Sequence, residues 1–335
     1  MKHLRHILLT FDYELFLGKL SGTPQNCMVK PTAILQKVLK RYDLKFAIFF
    51  VDTVYLSKLK ENTHPRAKAD YDVIASQLHE LSSEGHYLFP HIHSHWLDAE
   101  YNPDLNQWNL SNMRYYNFGA VPFAQKSAAF ENSILILDEI RGRKEEFTGF
   151  RAGGWCIQPF SAMRPFFEKH GVKYDFSVLG GYSNYSEFQK FDFRNIPEKP
   201  YYPFEEYVIK EDPSGRFIEI PISTVKFNFG RRIVSKIFMR SVSKNKKDNF
   251  GDGYSIEEAS KKVSQVNRME MASIELMNKV NQQCFMSSLK KNSHLHFISH
   301  PKMFSVHNME CFDSFIQRAV KKYEISTDFK NYIKT

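Results

Sequence analysis

Two acids and a cluster of imidazoles carry the first chemical signal in this chain. Asp12 and Glu14 lie two apart in Thr10-Phe11-Asp12-Tyr13-Glu14, and His91, His93 and His95 fall within five residues between Pro90 and Trp96. Carboxylate and imidazole together are a donor set for zinc and related divalent ions. A hydrolase built on such an ion keeps an open ligand position. It also needs a carboxylate to take a proton from water and an acid to protonate the leaving group. Alternation along an extended backbone puts Asp12 and Glu14 on one side, so one can ligate while the other handles a proton. An isolated D-x-E is more often a cap or an ion-pair partner. His91 and His95, four apart, can grip one ion from a helical turn or tight loop; in an extended arrangement His93 would instead join His91.

Three further residues complete the kit. Arg151 follows an apolar run and precedes Gly153-Gly154-Trp155, where glycines allow close backbone approach. A buried arginine there needs a carboxylate, and Asp12 is the candidate, held ionised and oriented by the pairing. Asp175 sits at another strand end, placed to orient a polar group indirectly. His300, before Pro301, is the candidate general acid, whereas His294 and His296 read as structural or solvated.

Elements that would position these residues alternate in type. Short apolar strands are expected at Ile7–Phe11, Lys45–Asp52, Tyr87–Phe89, Phe147–Arg151, Val172–Asp175, Phe217–Pro221 and His294–His300. Helices are expected at Pro31–Tyr42, Asp70–Glu84 (ended by Gly85), Val121–Arg141, Ser161–His170, most of Ile256–Leu289, and Met309–Tyr323. Repeated βα units imply a parallel sheet, open or closed into a barrel, with chemistry at strand C-terminal ends. Two stretches break the pattern: a polar, aromatic loop at 97–120 and a basic insertion at 226–253.

At 335 residues the chain can bury a large core, and one α/β barrel domain spanning 1–335 is expected. The 30 Phe and 17 Tyr read as core filling, with sugar-stacking platforms as the other use. The net charge of +9 favours an acidic partner: nucleic acid, an anionic membrane surface or a phosphate-bearing substrate. Four dispersed cysteines without a C-x-x-C pair read as reduced thiols, and Ile7-Leu8-Leu9 is too short for a signal peptide or membrane span. Both point to a cytoplasmic protein.

In order, these segments resemble the motifs of the polysaccharide deacetylases, carbohydrate esterases related to the chitooligosaccharide deacetylase of nodulation. The matches are Thr10–Glu14, His91–His95, Arg151–Trp155, Tyr174–Val178 and Phe297–His300, over roughly residues 5–225 and 290–325. The resemblance implies a distorted (β/α)7 TIM-like barrel that binds one divalent metal, usually zinc. It implies Asp12 as base, Glu14, His91 and His95 as ligands, Arg151 as the residue that positions the base, and His300 as acid. This chain departs from the pattern in having Tyr13 and Glu14 where a second aspartate follows the first. It also has Ile92 for Ser or Thr, and Gly153-Gly154 where a proline is expected.

The expected activity is therefore metal-dependent removal of an acetyl group, N-linked before O-linked, from a surface-glycan precursor. Residues 231–247 would contact the inner membrane face or substrate phosphates, and nucleic acid is the disfavoured partner. Two alternatives stand beside it: a small-molecule amidohydrolase acting on linear or cyclic amides, and a non-catalytic glycan- or nucleic-acid-binding relative.

Overall fold

The structure is a computed structural model that describes residues 2–333 except 19, 106, 143–147, 228, 255–263 and 266–268, with backbone alone for 264 and 265. Its principal sheet has nine strands: β1 (Leu4–Tyr13), β2 (Ile48–Asp52), β3 (Tyr87–Ile92), β4 (Gly149–Ala152), β5 (Tyr174–Asp175), β6 (Tyr202–Phe204), β7 (Phe217–Glu219), β8 (His294–Ser299) and β9 (Glu324–Ser326). The order is β6-β7-β5-β4-β3-β2-β1-β8, with β9 beside the start of β1. Every pairing is parallel except β6 with β7.

The helices are α1 (Lys30–Arg41), α2 (Thr53–Glu61), α3 (Pro65–Ser83), α4 (Phe123–Arg141), α5 (Arg164–His170), α6 (Phe229–Ser241), α7 (Lys244–Lys247), α8 (Gln282–Asn292), α9 (Val306–Lys322) and α10 (Phe329–Tyr332). Among the described residues, no helix is long and apolar enough to cross a membrane.

Period-2 alternation divides each strand between two environments. Ile7, Leu9, Phe11 and Tyr13 of β1 join Phe49 and Val51 of β2 in the large core beneath the helices. Leu8 of β1, with Ile48, Phe50 and Phe89, joins Phe176, Ile220, Phe329 and Tyr332 in a separate apolar plug inside the curl. Further along, the inward column turns polar: Thr10 and Asp12 on β1, His91 on β3, Arg151 on β4. Gly149 makes room for this plug, since a Cβ there would lie 2.5 Å from the Phe89 ring.

The expectation of a distorted (β/α)7 barrel holds in part. The mixed α/β sheet curls through half a barrel and stays open, with β6 and β8 as its edge strands. Pro221, just past β7, has no N–H to continue a ladder. Beyond it, Ile222 N–H still reaches Val178 O on the β5 side at 2.8 Å, and the approach to β8 rests on single bonds: Ser223 N–H to His296 O at 3.1 Å, and Ile298 N–H to Ala272 O at 3.0 Å. The expected helix over Ile256–Leu289 is corrected where the structure describes it. Residues 264–265 and Met269–Met271 are strands, the latter paired antiparallel to Thr224–Lys226, and helix begins only at Gln282. Residues 255–263 and 266–268 of that expectation lie outside the described residues.

Candidate metal centre

The polar end of the curl is organised around Arg151, which is fully buried. Its Nη1 donates to Asp12 Oδ1 at 2.5 Å, Nη2 to Thr10 Oγ1 at 2.8 Å, and Nε to Phe176 O at 3.0 Å. Its guanidinium lies over the Phe50 ring, 4.2 Å from the centroid, so the apolar plug supports the polar layer directly. Burial alone would raise the Asp12 pKa, but Arg151, then His91 and His300, outweigh it and hold the carboxyl below its usual value.

Glu14 and two imidazoles converge next to this pair. His91 Nε2 is 3.2 Å and His93 Nε2 2.7 Å from Glu14 Oε2, and the two imidazole nitrogens are 2.9 Å apart. His91 Nδ1 is 2.9 Å from Arg151 O, the partner that fixes the ring and turns Nε2 toward the site. One ligand atom from each of Glu14, His91 and His93 therefore lies within 4.8 Å of the others, all buried. A carboxylate oxygen and two imidazole nitrogens sharing one buried point are a donor set that fits a divalent cation.

The third member of this group is His93, and the expected His95 is not part of it. His91 closes β3, and His93 continues the extended backbone (φ −96°, ψ 92°), so both rings fall on one side. His95 lies in the 3-10 turn Ser94–Asp98, stacked beside Tyr116, with neither ring nitrogen hydrogen-bonded. Burial, then the neighbouring His93, pushes its pKa well below the ordinary value. Gly153 admits His93 to this position: a Cβ there would come within 2.5 Å of Ile92 O and 3.0 Å of the His93 ring.

Lys302 and Glu275 complete the site, and neither was signalled by the sequence motifs. Lys302 Nζ donates to Glu14 Oε1 at 2.6 Å and to Leu15 O at 2.7 Å, engaging one carboxylate oxygen and leaving Oε2 for a ligand role. Burial would raise the Glu14 pKa; Lys302 and His93 outweigh it and hold it well below the usual range. His300 Nε2 is 3.5 Å from Asp12 Oδ2, while His300 Nδ1 is 2.9 Å from Glu275 Oε1. Burial lowers the His300 pKa, but the hydrogen bond to Glu275 and the charge of Asp12 outweigh it, leaving it above the ordinary value.

Asp175 stands away from the reacting centre. It accepts from Ser177 Oγ at 2.6 Å, and Ser177 Oγ accepts from Ala152 N–H at 2.9 Å, so it braces the end of β4 beside Arg151. Glu219 is its close neighbour. Burial raises the pKa of both, and Glu219 lies well above the usual range with the Asp175 charge as the second cause.

Asp12, Glu14, His91, His93, His300 and Lys302 line one cavity of about 530 Å³. The 97–120 loop contributes Met113 and Tyr116 to it, and Trp155 and Tyr182 add further rings. This loop is ordered around Trp96, whose indole N–H donates to Asp52 Oδ2 at 2.6 Å, and around Trp108, edge-on to Trp96 at 5.7 Å.

No family model and no curated protein sequence matches the chain. Among solved structures, the catalytic domain of a peptidoglycan N-acetylglucosamine deacetylase from Eubacterium rectale ATCC 33656 superposes with a TM-score of 0.39 at 14% identity, over 96% of this chain and 87% of that one. A 4-alpha-glucanotransferase from Thermococcus litoralis superposes with a TM-score of 0.43 at 12% identity, over 100% of this chain and 41% of that one. Both superpositions are loose, and the chemistry rests on the residues of the site.

Proposed function

We propose that the chain is a metal-dependent deacetylase acting on an acetylated sugar, with the N-acetyl amide as the bond cleaved and zinc as the first candidate metal. The observation that carries this reading is the convergence of Glu14, His91 and His93 beside an acid held by arginine and a histidine held by glutamate. The motif order supports it, as do the aromatic rings around the cavity, which suit the faces of a sugar.

A divalent ion held by Glu14, His91 and His93 would supply Lewis acidity toward the amide carbonyl and acidify the attacking water. Arg151 occupies Asp12 Oδ1, which leaves Oδ2 to accept the proton of that water. His300, whose Nδ1 is held by Glu275 and whose pKa is raised by that contact, delivers its Nε2 proton to the departing nitrogen, so the products are acetate and the free amine. Lys302 keeps Glu14 ionised, and the cavity wall of Tyr116 and Trp155 orients the ring.

The test is acetate release from N- and O-acetylated saccharides by wild type and Asp12→Asn, each with measured metal content. Acetate from wild type and none from a metal-loaded Asp12→Asn is the expected result. A fully metallated wild type that releases no acetate from any of them, yet opens formamides or ureides, would replace this reading with the amidohydrolase.

A further inference from the structure

Helix α6 presents the wrong face to water. Its inner side is fastened by polar contacts: Arg232 to Glu270 at 2.6 Å, and Asn278 Nδ2 donating to Ser235 Oγ at 2.8 Å. Its outer side carries Ile233, Val234 and Ile237, which are 42%, 53% and 60% exposed, and no residue of the helix is buried. A helix packed for its own sake turns such residues inward. Lys236 and Arg240 stand exposed beside them and make no ion pair among the described residues. Over 226–247 the sequence holds eight Lys and Arg and no Asp or Glu.

An apolar strip bordered by cations matches the headgroup boundary of an anionic bilayer. Branched side chains enter the acyl region while lysine and arginine heads meet phosphate. The cationic run continues through α7, Lys244–Lys247, so the charge extends beyond the apolar strip as a broad sheet of lipid phosphates would require, and farther than a single acidic groove would. We propose that α6 docks the protein on an anionic lipid surface, with Ile233, Val234 and Ile237 inserted and Lys236, Arg240 and Lys244 at the phosphates, while Lys246 stays paired with Glu310. Glu270, which anchors α6, also lines the cavity together with Met271 and Leu276. The proposal does not depend on the reaction: a protein that binds vesicles and hydrolyses nothing would leave it intact.

The test is co-sedimentation of the full chain with phosphatidylcholine vesicles and with vesicles containing 30% phosphatidylglycerol, at about 0.05 and 0.5 M salt. Wild type should bind the anionic vesicles at low salt, release at high salt and ignore the neutral ones. Lys236→Gln/Arg240→Gln should weaken partition about 25-fold, from about fivefold per cation, and Ile233→Ser/Ile237→Ser should abolish it. Circular dichroism and metal content check that both variants stay folded. No binding by wild type, equal binding to both vesicle types, or unchanged binding by either folded variant overturns the proposal. Self-association of wild type through these residues, with no vesicle binding, does so in favour of a second copy.

Discussion

Replacing Glu275 by glutamine isolates the charge that the proposed acid depends on. The carboxylate meets His300 Nδ1 at 2.9 Å, and the Glu275 side chain is 7% exposed, so water does little to screen the pair. Glutamine keeps an acceptor oxygen at the same place and preserves the ring orientation while removing the negative charge. A hydrogen bond to a charged group contributes about 1.5–3 kcal/mol. At 1.36 kcal/mol per pH unit, its loss lowers the His300 pKa by about 1–2 units. Burial, which already works against the imidazolium, would then be opposed by Asp12 alone among the larger influences. Because His300 must be protonated to act, the alkaline limb of the kcat/KM profile for acetate release should move down by the same amount. Activity on the alkaline limb should fall about 10–100-fold while the rate on its acid side changes little, and Glu275→Asp should restore part of the shift. The pair also stabilises the fold. With the folded pKa of His300 raised, that contribution is complete below about pH 6.5 and disappears as pH rises through the folded value. Nuclear magnetic resonance of the His300 ring gives the titration without substrate. An alkaline limb that stays in place, or a loss of rate equal at every pH, would show that Glu275 supports the segment and does not tune the acid.

Elemental analysis should find metal lost from His91→Ala and His93→Ala and retained in His95→Ala; loss in His95→Ala alone of the last two would reverse the ligand assignment. Lys302→Met should destabilise the metal-free protein by about 3 kcal/mol, as expected for a buried pair stripped of one partner, and added divalent ion should recover most of that in thermal melts. An unchanged melting temperature would remove Lys302 from the account. His86, edge-on to Phe49, has its pKa lowered to about 4 by burial and then by Lys40. The unfolded chain therefore takes up a proton first, and stability falls between pH 6.5 and 4 by about 3 kcal/mol; urea melts of His86→Phe should lack that part of the loss.

The strands were legible because their residues are apolar and a short run suffices: Ile7–Phe11 and Lys45–Asp52 needed nothing beyond apolar, β-branched or aromatic content, although the second strand begins only at Ile48. The pair Asp12 and Glu14 was legible because a period of two states which side chains share a face. The histidine cluster allowed two arrangements, His91 with His95 from a turn or His91 with His93 along a strand, and the local pattern did not choose between them. His91 and His93 obey the period of two, and only at Ser94 does the chain turn into a 3-10 helix that carries His95 off the line. Residues 269–277 fell within the helix expected over most of Ile256–Leu289, yet this segment is held by tertiary partners, antiparallel to Thr224–Lys226 and by Ala272 N–H on Ser223 O. Tertiary pairing overrode local preference there. Lys302 and Glu275 had no local signal: each is a single charged residue whose meaning comes from a partner, Glu14 across 288 positions for one and His300 across 25 for the other.

The missing Cβ at Gly153 has a consequence for how this site could have diversified. The His93 ring and a side chain at position 153 compete for the same volume, and the proline expected there from the motif would occupy it. The two positions are thus one inherited unit. A lineage that enlarges residue 153 must surrender the imidazole at 93 and recruit its third ligand from elsewhere on the turn. In an alignment of related chains, histidine at 93 should appear only where glycine stands at 153, while His91, fixed by a backbone carbonyl, is free of that bargain.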